Sequence, residues 1–183
     1  MVTRFLLLLL LAAPAGAAEV AGVRIEDTAQ VGNAPLVLAG AGLRKRFFVQ
    51  VYAMGLYVAE RKADPLTQPG AKRIAIHMLR DVGADQFSAA LVDGMRPNHD
   101  AATMQGLAPR IAQLSAILEA LQEAKKGMRI TLDLLPEGAT QVTVDGKPSG
   151  QPIPGADFYR ALLTIWLGDK PVQDDLKKAL LGQ

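Results

Sequence analysis

The hydrophobic period of this chain changes three times, and that order constrains its fold more than any single motif. From about Val20 to Glu60 the apolar residues alternate or run in short β-branched and aromatic stretches, "VAGVRIED", "APLVLAG" and "LAGAGLRKRFFVQVYAMGLYV", and "KRIAIHMLR" adds another strand pattern. Helical spacing follows. Phe87, Ala90, Leu91 and Met95 share a stripe behind Asp85, and Met104, Leu107, Ile111, Leu114, Leu118 and Leu121 share a second, whose long helix is expected to start near Pro109. Alternation returns in "MRITLDLLP" and "TQVTVDGKP", with a tight turn at Asp145-Gly146. Two helices end the chain, one presenting Phe158, Ala161, Leu162, Ile165 and Trp166, the other starting at Pro171.

Strands, two helices, two strands and two helices do not make the regular alternation of a parallel sheet. The expectation is an α+β fold in which a layer of helices covers one face of a large antiparallel sheet, with room for a small ligand between the layers.

The N-terminus reads as a leader. Arg4, Phe5, the leucines Leu6 to Leu11 and the small residues of "AAPAGAAEV" form the charged, apolar and cleavage regions of a secretory signal peptide. Residues 1–18 are therefore assigned to the signal and 19–183 to one domain, exported to the periplasm or beyond, with no transmembrane segment left after cleavage. There is no cysteine, which excludes disulfides, thiol catalysis and thiolate-bound metals. A formal net charge of +2 without an aromatic-studded basic face argues against nucleic acid as a partner.

Catalytic constellations are sparse. His77 and His99 have no partner at metal-ligand spacing, so no metal or other cofactor is expected. Ser88, Ser115 and Ser149 lack the setting of an activated nucleophile. The "GAG" of Gly40 to Gly42 lacks the further glycines of a dinucleotide site and reads as a turn.

What remains is the cation cluster that opens the apolar run. On a continuous strand Arg44, Arg46, Phe48, Gln50 and Tyr52 would share one face, and Lys45, Phe47, Val49 and Val51 the other. A guanidinium offers a permanently charged planar fork for a carboxylate or enolate, and a tyrosine hydroxyl can donate to the same anion. The alternative is that this face is the solvent side of an edge strand.

The string "LAGAGLRKRFFVQVYAMGLYV" resembles the strand region of the chalcone isomerase-like family, with its Gly-x-Gly-x-Arg entry and Ala-x-Gly-x-Tyr end, and "FYRALLTIWLGDKPVQDDLKKALLG" resembles the family's C-terminal helices. The resemblance implies an open-faced β-sandwich with a cleft between sheet and helices. It also implies one of two functions, closure of chalcones to flavanones or non-catalytic binding of a fatty acid.

Carried over by motif, the enzymes' arginine falls on Arg44 and their strand threonine on Tyr52. Their helix tyrosine falls on Phe87 within Gln86-Phe87-Ser88, their asparagine on Gly94, and their last threonine on Ile165, with Thr164 adjacent. Phe87, Gly94 and Ile165 cannot supply the polar network that stabilises developing charge, so chalcone cyclisation is disfavoured.

The fatty-acid-binding relatives hold a carboxylate at the positions of Arg44 and Tyr52. The resemblance therefore favours a non-catalytic binder of a small amphipathic anion, such as a fatty acid. An intramolecular lyase or isomerase using Arg44 and Tyr52 is the alternative, and a structural or partner-binding envelope protein is the third reading. One distance stands in the way: eight residues of straight strand span about 26 Å, too far for Arg44 and Tyr52 to hold one carboxylate. Either the chain bends after the Gly-Ala-Gly turn or Arg46 is the partner of Tyr52.

Overall fold

The computed structural model describes residues 17–183; the signal assigned to residues 1–18 lies outside them but for its last two positions. The described residues begin with a small antiparallel hairpin, β1 (Ala18–Val20) and β2 (Val23–Ile25). The strands β3 (Thr28–Val31), β4 (Ala34–Arg46), β5 (Val49–Val58) and β6 (Lys72–Met78) follow, each antiparallel to the next, with a longer loop between β5 and β6. A short β7 (Val82–Gly83) leads into α1 (Ala84–Met95), a 3-10 turn over Arg96–Asn98 and α2 (Ala101–Glu119). Then come β8 (Glu123–Ala124), β9 (Arg129–Leu134), β10 (Thr140–Val144), β11 (Lys147–Ile153), α3 (Ala156–Leu167) and α4 (Asp174–Leu180).

The main sheet has seven strands in the order β11-β10-β9-β6-β5-β4-β3, all antiparallel, as the α+β reading expects. Alternation assigns its two faces. Tyr52, Met54, Leu56 and Val58 of β5, with Ile74, Ile76 and Met78 of β6 and Ile130, Leu132 and Leu134 of β9, pack under the helices of the described residues. Tyr57, Ala75, Leu36 and Leu38 face the other way, onto the β1–β2 hairpin through Ile25 and its neighbours. On that second face Arg73 donates twice to Asp133, at 2.7 and 2.6 Å, across the β6–β9 pair.

Three local readings are corrected. The Gly-Ala-Gly at 40 to 42 is no turn but the middle of β4, where glycine lets α4 lie directly on the strand: a Cβ at Gly42 would stand 2.7 Å from Leu176 Cδ1, and one at Gly40 would overlap the Ala179 carbonyl. The apolar run is not one strand. It reverses at Phe47-Phe48 and becomes the β4–β5 hairpin. Finally, α2 does not start near Pro109 but at Ala101, capped by Asp100, whose carboxylate accepts the Thr103 N–H at 2.7 Å; Pro109 lies inside the helix, which gives up one backbone bond there.

Two smaller differences have the same origin in context. β11 carries Pro148 and Pro152 and no strand signal, and it is tolerated because it is a sheet edge. α4 starts at Asp174 rather than Pro171, and the residue before it, Gln173, turns its side chain to β4 instead of capping the helix.

Candidate functional site

The hairpin settles the distance that a straight strand made prohibitive. Arg44 and Tyr52 are direct cross-strand partners, so their side chains leave the same face of the sheet with Cβ atoms about 5 Å apart. The next pairs are Lys45 with Gln50 and Arg46 with Val49, which leaves Val51 as an extra residue. That bulge turns Val51 as well as Tyr52 toward the space under the helices.

The space is a cavity of about 370 Å³ between the turn end of the hairpin, β7, α1 and α3. Val49, Val51, Phe87, Leu91, Ile165 and Val172 give it hydrocarbon walls, while Arg44, Arg46 and Arg80 stand at its mouth beside Asp81. The Asp81 carboxylate accepts the Lys126 backbone N–H at 2.7 Å. Among the described residues no carboxylate pairs with Arg44, Arg46 or Arg80. The cavity thus combines an apolar interior with an excess of positive charge at its mouth, three arginines against one carboxylate, the inventory for an amphipathic anion.

Tyr52 is buried, and its hydroxyl accepts the Trp166 indole N–H at 2.9 Å. Its own O–H finds no acceptor among the described residues and remains able to donate to a guest. Burial pushes the phenol's pKa above its usual value, and the Trp166 hydrogen bond and the Arg44 charge only partly offset this. The group therefore stays a neutral donor across the physiological range.

Arg44 is half-buried and held from behind by Gln173. The amide oxygen of Gln173 accepts from Arg44 Nη1 at 3.3 Å and from the Lys45 N–H at 2.8 Å, while its amide nitrogen donates to the Leu43 carbonyl at 3.0 Å. One amide thus clamps the strand around Arg44. Nη1 also donates to the Lys45 carbonyl, which leaves Nη2 and Nε for a ligand.

Of the residues singled out from the sequence, Arg44, Arg46, Tyr52, Phe87 and Ile165 come together around this cavity. Gly94 and Thr164 do not line it. Gly94 is a contact point between α1 and α3, where a Cβ would stand 2.8 Å from Ile165 Cγ2. The Thr164 hydroxyl points away, donating to the Ala161 carbonyl at 2.7 Å and meeting His99 Nε2 at 3.0 Å. Gln173, Trp166 and Arg80 were missed as site residues. Trp166 reads only as a core residue, and nothing local distinguishes Gln173 from any polar residue before a helix.

A second hollow of about 290 Å³ lies toward the other end of β6, beside Lys72 and Arg160. The Lys72 ammonium is already bonded to the carbonyls of Gln68 at 2.6 Å and Gly70 at 3.3 Å, so it offers a ligand less than Arg44 does. Among the described residues no cluster of three or more His, Asp or Glu could hold a metal ion, and no helix is long and apolar enough to cross a membrane.

A family model described as chalcone isomerase-like matches residues 17–182. The chain belongs to the chalcone isomerase-like family. Among solved structures, the fatty-acid binding protein of Arabidopsis thaliana shares this fold with a TM-score of 0.64, at 15% sequence identity, over 87% of this chain and 92% of that one. No curated protein sequence matches. In this member of the chalcone isomerase-like family the cleft between sheet and helices is the cavity that Arg44 and Tyr52 close at one end.

Proposed function

We propose that this protein binds a fatty acid, or a closely similar amphipathic anion, in the cavity under α1 and α3 and releases it unchanged. The observation that carries the proposal is the direct pairing of Arg44 with Tyr52 at the end of a cavity that Val49, Val51, Phe87, Leu91, Ile165 and Val172 wall with hydrocarbon. A carboxylate placed there receives a planar, charged fork from Arg44 and a neutral O–H from Tyr52. The acyl chain then lies along Val51, Phe87, Leu91 and Ile165, where each buried methylene contributes roughly 0.8 kcal/mol. The tail supplies most of the affinity and the polar pair supplies the orientation.

Further support comes from the fold shared with a protein described as fatty-acid binding. Catalysis has less to work with, since Phe87 and Ile165 present hydrocarbon where charge stabilisation would be needed. Export to the periplasm is part of the same reading and rests on the leader sequence alone.

The test is denaturing extraction of the purified protein, with mass spectrometry of the small molecules released, in parallel for the parent and Arg44→Ala. A near-stoichiometric acyl acid in the parent that is depleted in the variant is the expected result. Equal retention in Arg44→Ala and Arg46→Ala would refute the assigned site, and a folded parent that neither carries nor takes up fatty acid would refute the function.

A further inference from the structure

The tip of the β4–β5 hairpin carries aromatic surface that the described fold leaves uncovered. Its two loop residues, Phe47 and Phe48, are 89% and 100% exposed, and Val49 beside them is 42% exposed; these are the exposed large hydrophobics of the described residues. Phe47 also holds φ at 55°, the left-handed region that glycine usually occupies at such a turn. Two unfavourable features, backbone strain and apolar exposure, therefore coincide on adjacent residues that contribute nothing to the core.

The surroundings indicate what covers them. Lys45 and Arg46 are exposed on the strand leading to the tip, and Arg44 and Arg80 stand nearby at the cavity mouth. Two phenyl groups on a narrow convex hairpin are too small to make a protein interface, which needs about 1,200 Å² or more. Aromatic side chains ringed by cations suit an interface between hydrocarbon and phosphate, where the rings enter and the charges remain at the headgroups. The tip is also continuous with the cavity, because Arg46, Phe47 and Val49 border both.

We infer that the Phe47-Phe48 hairpin tip docks on an anionic lipid surface, with both rings in the boundary between headgroups and acyl chains and with Lys45 and Arg46 against the phosphates. Docked in this way, the cavity mouth opens against the bilayer. That last consequence, transfer of an amphipathic ligand between bilayer and cavity, rests on the function proposed above; the docking itself does not.

The test is flotation of the purified protein with vesicles of phosphatidylglycerol mixed with phosphatidylcholine, and with vesicles of phosphatidylcholine alone. Binding is expected to the first and to be at least about tenfold weaker to the second. Phe48→Ser, and Phe47→Gly combined with Phe48→Ser, should weaken it by about tenfold or more while leaving the thermal melt intact, since glycine accepts the backbone at residue 47. Lys45→Gln and Arg46→Gln should each weaken it roughly fivefold, and high salt should do the same.

Absence of binding to the anionic vesicles, or binding indifferent to both phenylalanine variants, overturns the inference. So does light scattering that finds a dimer in the parent and a monomer in the variants, which would assign the tip to a second copy of the chain. Flotation is read on ligand-free and fatty-acid-loaded protein alike. A protein that loads fatty acid but ignores vesicles refutes docking alone, and one that docks but never loads refutes the function alone. Phe48, which does not line the cavity, provides the clean variant: Phe48→Ser should release vesicles and still retain ligand.

Discussion

Arg44 and Tyr52 are eight residues apart in the chain and directly opposite in the sheet, because the strand that carries them reverses at Phe47-Phe48. The same reversal puts Trp166 of α3 within 2.9 Å of the Tyr52 hydroxyl and lets Gln173, just before α4, brace Arg44. A cation, a phenol and their two supports thus come from β4, β5, α3 and the loop before α4, and each support fixes one polar group at the edge of an apolar cavity. The arrangement makes separate demands on each partner.

Arg44→Ala should abolish most retention of an acyl anion with little loss of stability, because the guanidinium lies half-buried at the cavity mouth. A charge-assisted hydrogen bond contributes about 1.5–3 kcal/mol, which corresponds to roughly a tenfold to hundredfold weaker complex. Arg44→Lys should restore only part of this, since an ammonium keeps the charge but lacks the fork. Gln173→Ala should give an intermediate loss by freeing Arg44 from its brace. Isothermal titration with a medium-chain fatty acid ranks the four proteins.

Tyr52→Phe should destabilise the fold as well as weaken the ligand. The Trp166 indole N–H donates to the Tyr52 hydroxyl inside the core, and removing that acceptor leaves a buried donor unpaired, at a cost of about 1–3 kcal/mol. Combining Tyr52→Phe with Trp166→Phe should cost less than the sum of the single changes, because the double variant leaves no orphaned donor. Urea denaturation of the four proteins of this cycle measures the coupling, and simple additivity would show that the bond contributes nothing.

How much of this could be read beforehand depended on whether the signal was local. The periods of α1 and α3 predict the stripes that pack on the sheet, and Phe158, Leu162 and Trp166 are buried as their spacing requires. The Phe47-Phe48 reversal had no such signal. A two-residue hairpin is normally announced by Asn-Gly or Gly-Gly, and here two phenylalanines occupy the turn, so the run looked like one strand. The glycines at 40 and 42 looked like a turn for the complementary reason, because what requires them is a helix that arrives more than a hundred residues later. Gly94 and Thr164 fell away from the cavity because a motif fixes the order of residues along a helix but not which of them faces the sheet.

The pH dependence follows from the tyrosines. Tyr52, Tyr57 and Tyr159 are the chain's three, and burial raises the pKa of each, most strongly for Tyr159. A phenol whose folded pKa lies above its unfolded value contributes stability that is fully present below about pH 10 and is lost as the pH rises through the folded pKa. Stability should therefore fall above about pH 10. Phenolate absorbance should appear together with unfolding rather than before it. His77 acts in the opposite sense: burial and the nearby Arg129 lower its pKa, so its contribution is present above about pH 6.5 and is lost as the pH falls through the lower folded value. Thermal melts across the pH range should give a plateau bounded on the alkaline side by tyrosine ionisation, and an early phenolate signal in folded protein would contradict the burial of these rings.

Two glycines give opposite expectations for the same substitution. Gly40→Ala would drive a methyl group into the Ala179 carbonyl, and because that obstacle is backbone, α4 must move off β4. Such overpacking costs about 1–3 kcal/mol. The displacement would also carry away Gln173, so Gly40→Ala should weaken fatty-acid binding although residue 40 lies outside the cavity. Gly106 sits inside α2, and beyond the helix's own adjacent backbone and its chain neighbours nothing lies within 4 Å of the added methyl group, so Gly106→Ala should stabilise the protein by up to about 1 kcal/mol through helix propensity. Urea midpoints and ligand titrations of the two variants read both effects. A loss of stability without loss of ligand in Gly40→Ala would mean that Arg44 holds its position without Gln173, and would separate the anchoring of α4 from the binding site.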